Sequence, residues 1–202
     1  QNLLGARINV ASEENQRWIA AGNGERRKEA LEKLSGLSHK ATTLDLSGLR
    51  LTELPPQLVT FTKLESLNLS GNCIEKLPSD IGQLKNIKNV TLCRNDLVRI
   101  PDAVSKLPSG CVVDISDNPQ LTRDDLVTLA IGLSAPGYDG PTFKDDNNET
   151  LRSASQLCDA VSEWRRYAPG TEDAATITRV IKKIYNCQQD QTRTLDLSGL
   201  NI

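Results

Sequence analysis

Leu64-Glu65-Ser66-Leu67-Asn68-Leu69-Ser70-Gly71-Asn72-Cys73-Ile74-Glu75-Lys76-Leu77-Pro78 is the stretch whose reading decides the fold. Its alternation predicts a short strand, with Leu67 and Leu69 turned into a core and Ser66, Asn68 and Ser70 turned outward. Asn72 falls where the chain leaves the strand. A side-chain amide there can satisfy backbone groups that the turn leaves unpaired. The Leu77-Pro78 step bends the chain and favours an extended or turn conformation. Ile81, Leu84 and Ile87 then close an apolar back.

The stretch recurs. Leu46, Leu69, Leu92 and Ile115 are spaced by 23 residues, as are Pro55, Pro78 and Pro101. Asn72, Asn95 and Asn118 keep the same step and are expected to form a structural asparagine ladder. A strict period carrying L-x-x-L-x-L-x-x-N marks a leucine-rich repeat solenoid, an α/β fold in which each coil buries its apolar face against its neighbours. About four coils of 23 residues are expected. The first is irregular, with Leu49 at the asparagine position. The fourth loses register at Pro119.

The flanks read as helical caps. Ser12 is placed to cap a helix through Ile19, with Glu13 and Glu14 in its first turn. Gly22-Asn23-Gly24 ends that helix, and an amphipathic stretch from Glu25 to Leu34 offers Ala30, Leu31 and Leu34 to the first coil. Beyond the repeats, Thr122 to Asp125 precedes a helix from Leu126 to Leu133. Pro136-Gly137 and Gly140-Pro141 make a double turn around Tyr138. The expected organisation is therefore a helical cap over 1–40, repeats over 41–121 and a C-terminal cap over 122–145. Residues 146–202 are expected to form a second helical cap and the first strand of another repeat unit. That last expectation rests on Thr194-Leu195-Asp196-Leu197-Ser198-Gly199-Leu200, which repeats Thr43 to Leu49 behind a second Trp, Trp164. The polar run Lys144 to Glu149 is read as the boundary between units.

The Trp-bearing cap, Leu-Asp-Leu-Ser-Gly-Leu and the Leu-Pro of each coil resemble the leucine-rich-repeat region of bacterial type III secreted effectors of the novel E3 ubiquitin ligase family. More specific are Leu107-Pro108-Ser109-Gly110-Cys111-Val112-Val113, Asp117-Asn118-Pro119-Gln120-Leu121 and Ser134-Ala135-Pro136-Gly137-Tyr138-Asp139-Gly140-Pro141. These resemble the junction that such effectors place before the ligase domain. The resemblance runs from about Gln16 to Phe143. It implies a virulence protein secreted from a bacterium into host cytoplasm, a host protein as partner, and a ligase domain outside these residues. The family's catalytic Cys-x-Asp is not found after any of Cys73, Cys93, Cys111, Cys158 or Cys187, so no catalytic residue is carried over. The 23-residue step is also longer than the family's usual repeat of near 20. Whether the parent is an enzyme stays open at this point.

Composition excludes several classes. A formal net charge of -2 gives no basic footprint for nucleic acid. No apolar run reaches membrane-spanning length. Five cysteines, an odd number without paired spacing, argue against a disulfide framework and for a reducing compartment. With one histidine, His39, and no Cys-x-x-Cys, neither a metal site nor a cofactor is expected. The chain holds no Met and no signal-peptide pattern at Gln1, and is expected to be part of a longer protein.

The expected partner-binding face is the outward row on the strands. It comprises Thr43, Asp45 and Ser47; Ser66, Asn68 and Ser70; Asn89, Thr91 and Cys93; and Val112, Asp114 and Ser116. Solenoid curvature makes such rows concave and suited to a protein partner. The row lacks the Trp, Tyr and Arg of energetic hot spots, so these residues also read as solvated strand positions in a spacer. Lys88, Arg50 and Arg94 lie near its edges. Two functions stand side by side: the recognition region of a secreted ligase, and a non-catalytic scaffold or adhesion module.

Overall fold

A computed structural model describes residues 8–75, 77–100, 102–133, 138–145 and 174–189. Pro136-Gly137, the boundary run after Asp145, Cys158, Trp164 and the Thr194–Leu200 motif lie outside the described residues. Two compact units are formed, Gln1–Leu121 with Asp139–Asp146, and Thr122–Tyr138 with Asn147–Ile202.

The first unit begins with helices α1 (Glu13–Ala20) and α2 (Gly24–Ser35). The Ser12 side chain accepts from the Asn15 N–H at the start of α1, and Asn23 accepts from the Arg26 N–H at the start of α2. On α2 the buried residues are Arg27, Ala30, Leu31 and Leu34, one stripe at helical spacing. Arg27 is 3% exposed although charged. Its guanidinium pairs with Glu53 at 2.8 Å, donates to the Trp18 carbonyl at 2.6 Å and to Thr52 at 3.2 Å, and lies 4.8 Å from the Trp18 ring centroid. One side chain thereby ties α1 and α2 to the first coil.

Among the described residues five three-residue strands follow: β1 (Thr43–Asp45), β2 (Ser66–Asn68), β3 (Asn89–Thr91), β4 (Val112–Asp114) and β5 (Thr142–Lys144). They form one parallel sheet in chain order. Such a sheet needs a long crossover between strands. The crossovers contain short 3-10 turns at Pro56–Thr60, Ile81–Gln83 and Asp102–Lys106. Leu44, Leu67, Val90 and Val113 form one inward row, and Leu46, Leu69, Leu92 and Ile115 the next. All eight are at most 5% exposed.

The asparagines join successive coils. Asn72 Oδ1 accepts from the Leu49 and Leu51 N–H groups at 3.0 Å, while its Nδ2 donates to the Leu46 and Leu69 carbonyls at 2.9 Å. Asn95 Oδ1 accepts from Ile74 N–H, and Asn118 Oδ1 from Leu97 N–H. All three are buried. Just before them the chain turns through left-handed backbone at Gly48 (φ 69°), Gly71 (φ 66°), Arg94 (φ 54°) and Asp117 (φ 52°). Glycine adopts this freely and aspartate at low cost, whereas arginine is strained there.

β5 is the departure from the regular spacing. Lys144 stands opposite Asp114, 30 residues earlier, where the other strand pairs are 23 apart. The next residue, Asp145, follows the inward row and is 7% exposed. A carboxylate thus occupies the place that Leu46, Leu69, Leu92 and Ile115 hold in the earlier coils.

In the second unit, α3 (Arg123–Leu133) opens with a reciprocal cap: Thr122 N–H donates to the Asp125 carboxylate at 2.8 Å, and Asp125 N–H to Thr122 Oγ1 at 3.2 Å. Helix α4 (Ala174–Gln189) packs on α3. Ile181 and Tyr185, one turn apart on α4, are buried. Lys182 reaches Asp124 at 3.4 Å.

Candidate functional site

The sheet register brings the expected binding residues into three straight rows on the open face. Thr43, Ser66, Asn89 and Val112 stand side by side, and Asp45, Asn68, Thr91 and Asp114 form the row beside them. Ser47, Ser70, Cys93 and Ser116 continue the pattern one step past each strand: Gly48 N–H donates to the Ser70 carbonyl, Gly71 N–H to the Cys93 carbonyl and Arg94 N–H to the Ser116 carbonyl. None of the twelve is buried, while the residues between them are. Val112 is 42% exposed, an apolar side chain among polar ones.

Several of these side chains already serve the backbone. Asp45 Oδ1 accepts the Ser47 N–H at 2.8 Å, Asn68 Oδ1 the Ser70 N–H at 3.1 Å, and Asp114 Oδ1 the Ser116 N–H at 3.0 Å. Each is an Asx turn closing the end of a strand. Ser116 Oγ also donates to Asp114 at 2.6 Å. Hydrogen bonds from Ser47 hold the Asp45 carboxyl below the usual carboxylate value. At Asp114 burial pushes upward, but hydrogen bonds from Ser116 and the charge of Lys144 outweigh it and the carboxyl is again lowered.

The structure adds three residues that the repeat spacing did not announce. β5 places Thr142 beside Val112 and Lys144 beside Asp114, with a 3.4 Å ion pair between the last two. Only the alternation in Thr142-Phe143-Lys144 signalled them, and it is too short to stand out in a segment read as a cap. Lys33 is the other addition: its ammonium lies 3.4 Å from the Asp45 carbonyl oxygen, at the opposite edge. At the lower rim Lys88 pairs with Glu65 at 2.8 Å.

The cysteines differ by position. Cys93 is half-buried on the open face, as is Cys73 in the turn beyond it, while Cys111 is fully buried ahead of β4. Burial pushes the Cys111 thiol up to about 11. Burial and a hydrogen bond with Asp96 raise the Cys73 thiol. Both effects disfavour the thiolate, the reactive form. His39 stacks on Phe61 with ring centroids 5.6 Å apart, a packing contact at the first coil. No group of three or more metal-ligating side chains is found among the described residues. No helix among them is long and apolar enough to cross a membrane.

A family described as Leucine Rich Repeat matches residues 63–84, the coil built around β2. The leucine-rich repeat domain of the type III effector XopL is similar at 22% identity with a TM-score of 0.38, over 52% of this chain and 38% of that one. A Shigella effector leucine-rich repeat domain is similar at 19% identity with a TM-score of 0.25, over 64% of this chain and 94% of that one. The chain therefore spans well under half of the XopL domain structure. No curated protein sequence matches it.

Proposed function

We propose that this chain is a protein-recognition module of a bacterial secreted effector, binding a host protein on the concave face of its repeats. The observation that carries the reading is the register. Outward side chains from five strands are brought into rows that no described part of the first unit fills. Leucine-rich repeats use such surfaces for protein partners. The asparagine ladder and the buried leucine rows serve the scaffold, which leaves the open-face residues for contact. The cap and junction motifs quoted above support the bacterial effector assignment and delivery into a host cell. A ligase domain would then lie outside these residues, because no cysteine here stands in a Cys-x-Asp setting.

The test is interaction mapping. Host proteins captured on the immobilised chain are identified, purified and titrated against it. Thr91→Arg and Ser70→Arg should each weaken the purified pair at least tenfold, while Lys85→Glu, on an exposed turn away from the strands, should leave it unchanged. Equal affinity in all three variants sinks the concave-face reading. Incubating the parent with ubiquitin, activating and conjugating enzymes separates the ligase from the scaffold or adhesion reading. A cysteine-linked ubiquitin adduct marks the former.

A further inference from the structure

We infer that the occupant of the open face is a short, extended, uncharged polypeptide segment of about five residues that supplies the large side chains itself; this deepens the concave-face reading and rests on it. Size comes first. Five parallel strands spaced about 4.8 Å apart give a width of roughly 19 Å, and five residues along each strand give roughly 16 Å. The projected face is therefore about 300 Å2. A standard protein interface buries around 800 Å2 per partner. A folded domain resting on this face alone would fall well short of that. An extended chain rising about 3.3 Å per residue crosses the face in five or six residues.

Charge points the same way. Each carboxylate of the face sits beside a lysine: Asp114 pairs with Lys144, and the charge of Lys33 acts on Asp45. The charged pair at the rim, Glu65 with Lys88, is also internally neutral. The central positions Ser66, Asn68, Ser70, Asn89 and Thr91 carry no ionised group. Within these strand rows nothing steers a charged ligand, and a charged segment lying along them would lose water without gaining an unpaired partner; Arg50 and Arg94 stand past the strand ends, outside the rows.

Side-chain size completes the argument. The central positions hold Ser66, Asn68, Ser70, Asn89, Thr91 and Cys93, all small and all partly or fully exposed. Asn68 accepts the Ser70 N–H through its carbonyl and gives a side-chain hydrogen bond to the Asp45 carboxylate, so the hydroxyls of Ser66, Ser70 and Thr91 and the Asn89 amide are left as the polar groups of the centre. A surface of this kind offers hydrogen bonds to an extended backbone and room for bulky side chains, while lacking anchors of its own. The aromatic or long aliphatic groups that dominate binding energy must then come from the ligand.

The experiment selects random linear heptapeptides displayed on phage against the full chain. The enriched sequence is then synthesised, and its Kd is measured by fluorescence polarisation at 50 and 500 mM NaCl. The expected result is an uncharged consensus with at least one large apolar residue. Its Kd should change less than about threefold with salt and weaken at least tenfold in Thr91→Arg, with Lys85→Glu unaffected. Thr91→Arg is checked for folding by its denaturation midpoint, and Ser70→Arg serves as a second lesion. A charged consensus with a salt effect above tenfold, still abolished by both arginines, overturns the inference and leaves the concave-face reading intact. Peptides that bind all variants equally sit elsewhere and overturn both. Failure to enrich any linear peptide also overturns the inference.

Discussion

The Arg27 guanidinium occupies the space beside Gly22: a Cβ added at Gly22 would lie 2.2 Å from Arg27 Nε and 2.4 Å from Cζ. The glycine between α1 and α2 is therefore a consequence of where the buried arginine goes. Gly22→Ala should push Arg27 away from Glu53 and the Trp18 carbonyl and destabilise the first unit by about 2–3 kcal/mol. In an Arg27→Ala background the same change should cost only a few tenths of a kcal/mol. Urea denaturation of the four proteins completes the cycle, and additive costs would show that the contact is unimportant.

Asn72 takes two backbone N–H groups, where Asn95 and Asn118 each accept one from the preceding coil. Truncation of Asn72 removes the acceptor of both N–H groups and the donor to the Leu46 carbonyl, while the Leu69 carbonyl keeps Asn95 Nδ2 at 3.0 Å. Asn72→Ala should cost about 2–4 kcal/mol and should be the most damaging change in the ladder. The comparison is of denaturation midpoints for Asn72→Ala, Asn95→Ala and Asn118→Ala.

Arg94 holds a left-handed backbone at the turn position where Gly48 and Gly71 stand in earlier coils. Relief of that strain, on the order of 1–2 kcal/mol, is partly offset by the greater freedom that glycine has in the unfolded chain. Arg94→Gly should stabilise by roughly 0.5–1 kcal/mol, read as an upward shift in Tm. Arg94→Val should lower it.

Asp45 and Asp114 are held below their ordinary value of 3.8 in the folded chain. A depressed carboxyl contributes stability that is fully present above its unfolded value and is lost as pH falls through the folded one. The loss is therefore confined to the acid side of about pH 4. Carboxyl-carbon NMR titration should give midpoints below 3.8 for both, and Lys144→Met should raise the Asp114 midpoint while leaving Asp45 in place. An unmoved Asp114 midpoint would rule out Lys144 as a cause.

Much of the repeat was legible because its causes are local and periodic. A period-2 leucine pattern sets which side chains face inward, and the fixed 23-residue step places Ser66 opposite Asn89. Three features were not legible. β5 has one central apolar residue, Phe143, and arrives off the regular step. Arg27 reads as a solvated helix charge, because its burial depends on Trp18, Thr52 and Glu53 brought together from three segments. Lys33 likewise finds Asp45 only once α2 is placed on the first coil. For the open face, position follows from the repeat but purpose does not, since small polar residues suit both contact and solvent.

The longer step before β5 bears on how the protein is made. Ribosomes release the chain from its N-terminus, so β2, β3 and β4 can each dock as soon as one coil has emerged. The last strand must wait for 30 further residues, including those of α3. At about 5–20 residues per second that is a wait of roughly 1.5–6 s, against roughly 1.2–4.6 s for each earlier strand. During it the outer edge of β4 presents unpaired backbone groups, the kind of edge that recruits neighbouring chains. Crowded polysomes and strong overexpression are therefore the conditions in which this protein is most prone to misassembly, and slowing initiation should improve its soluble yield.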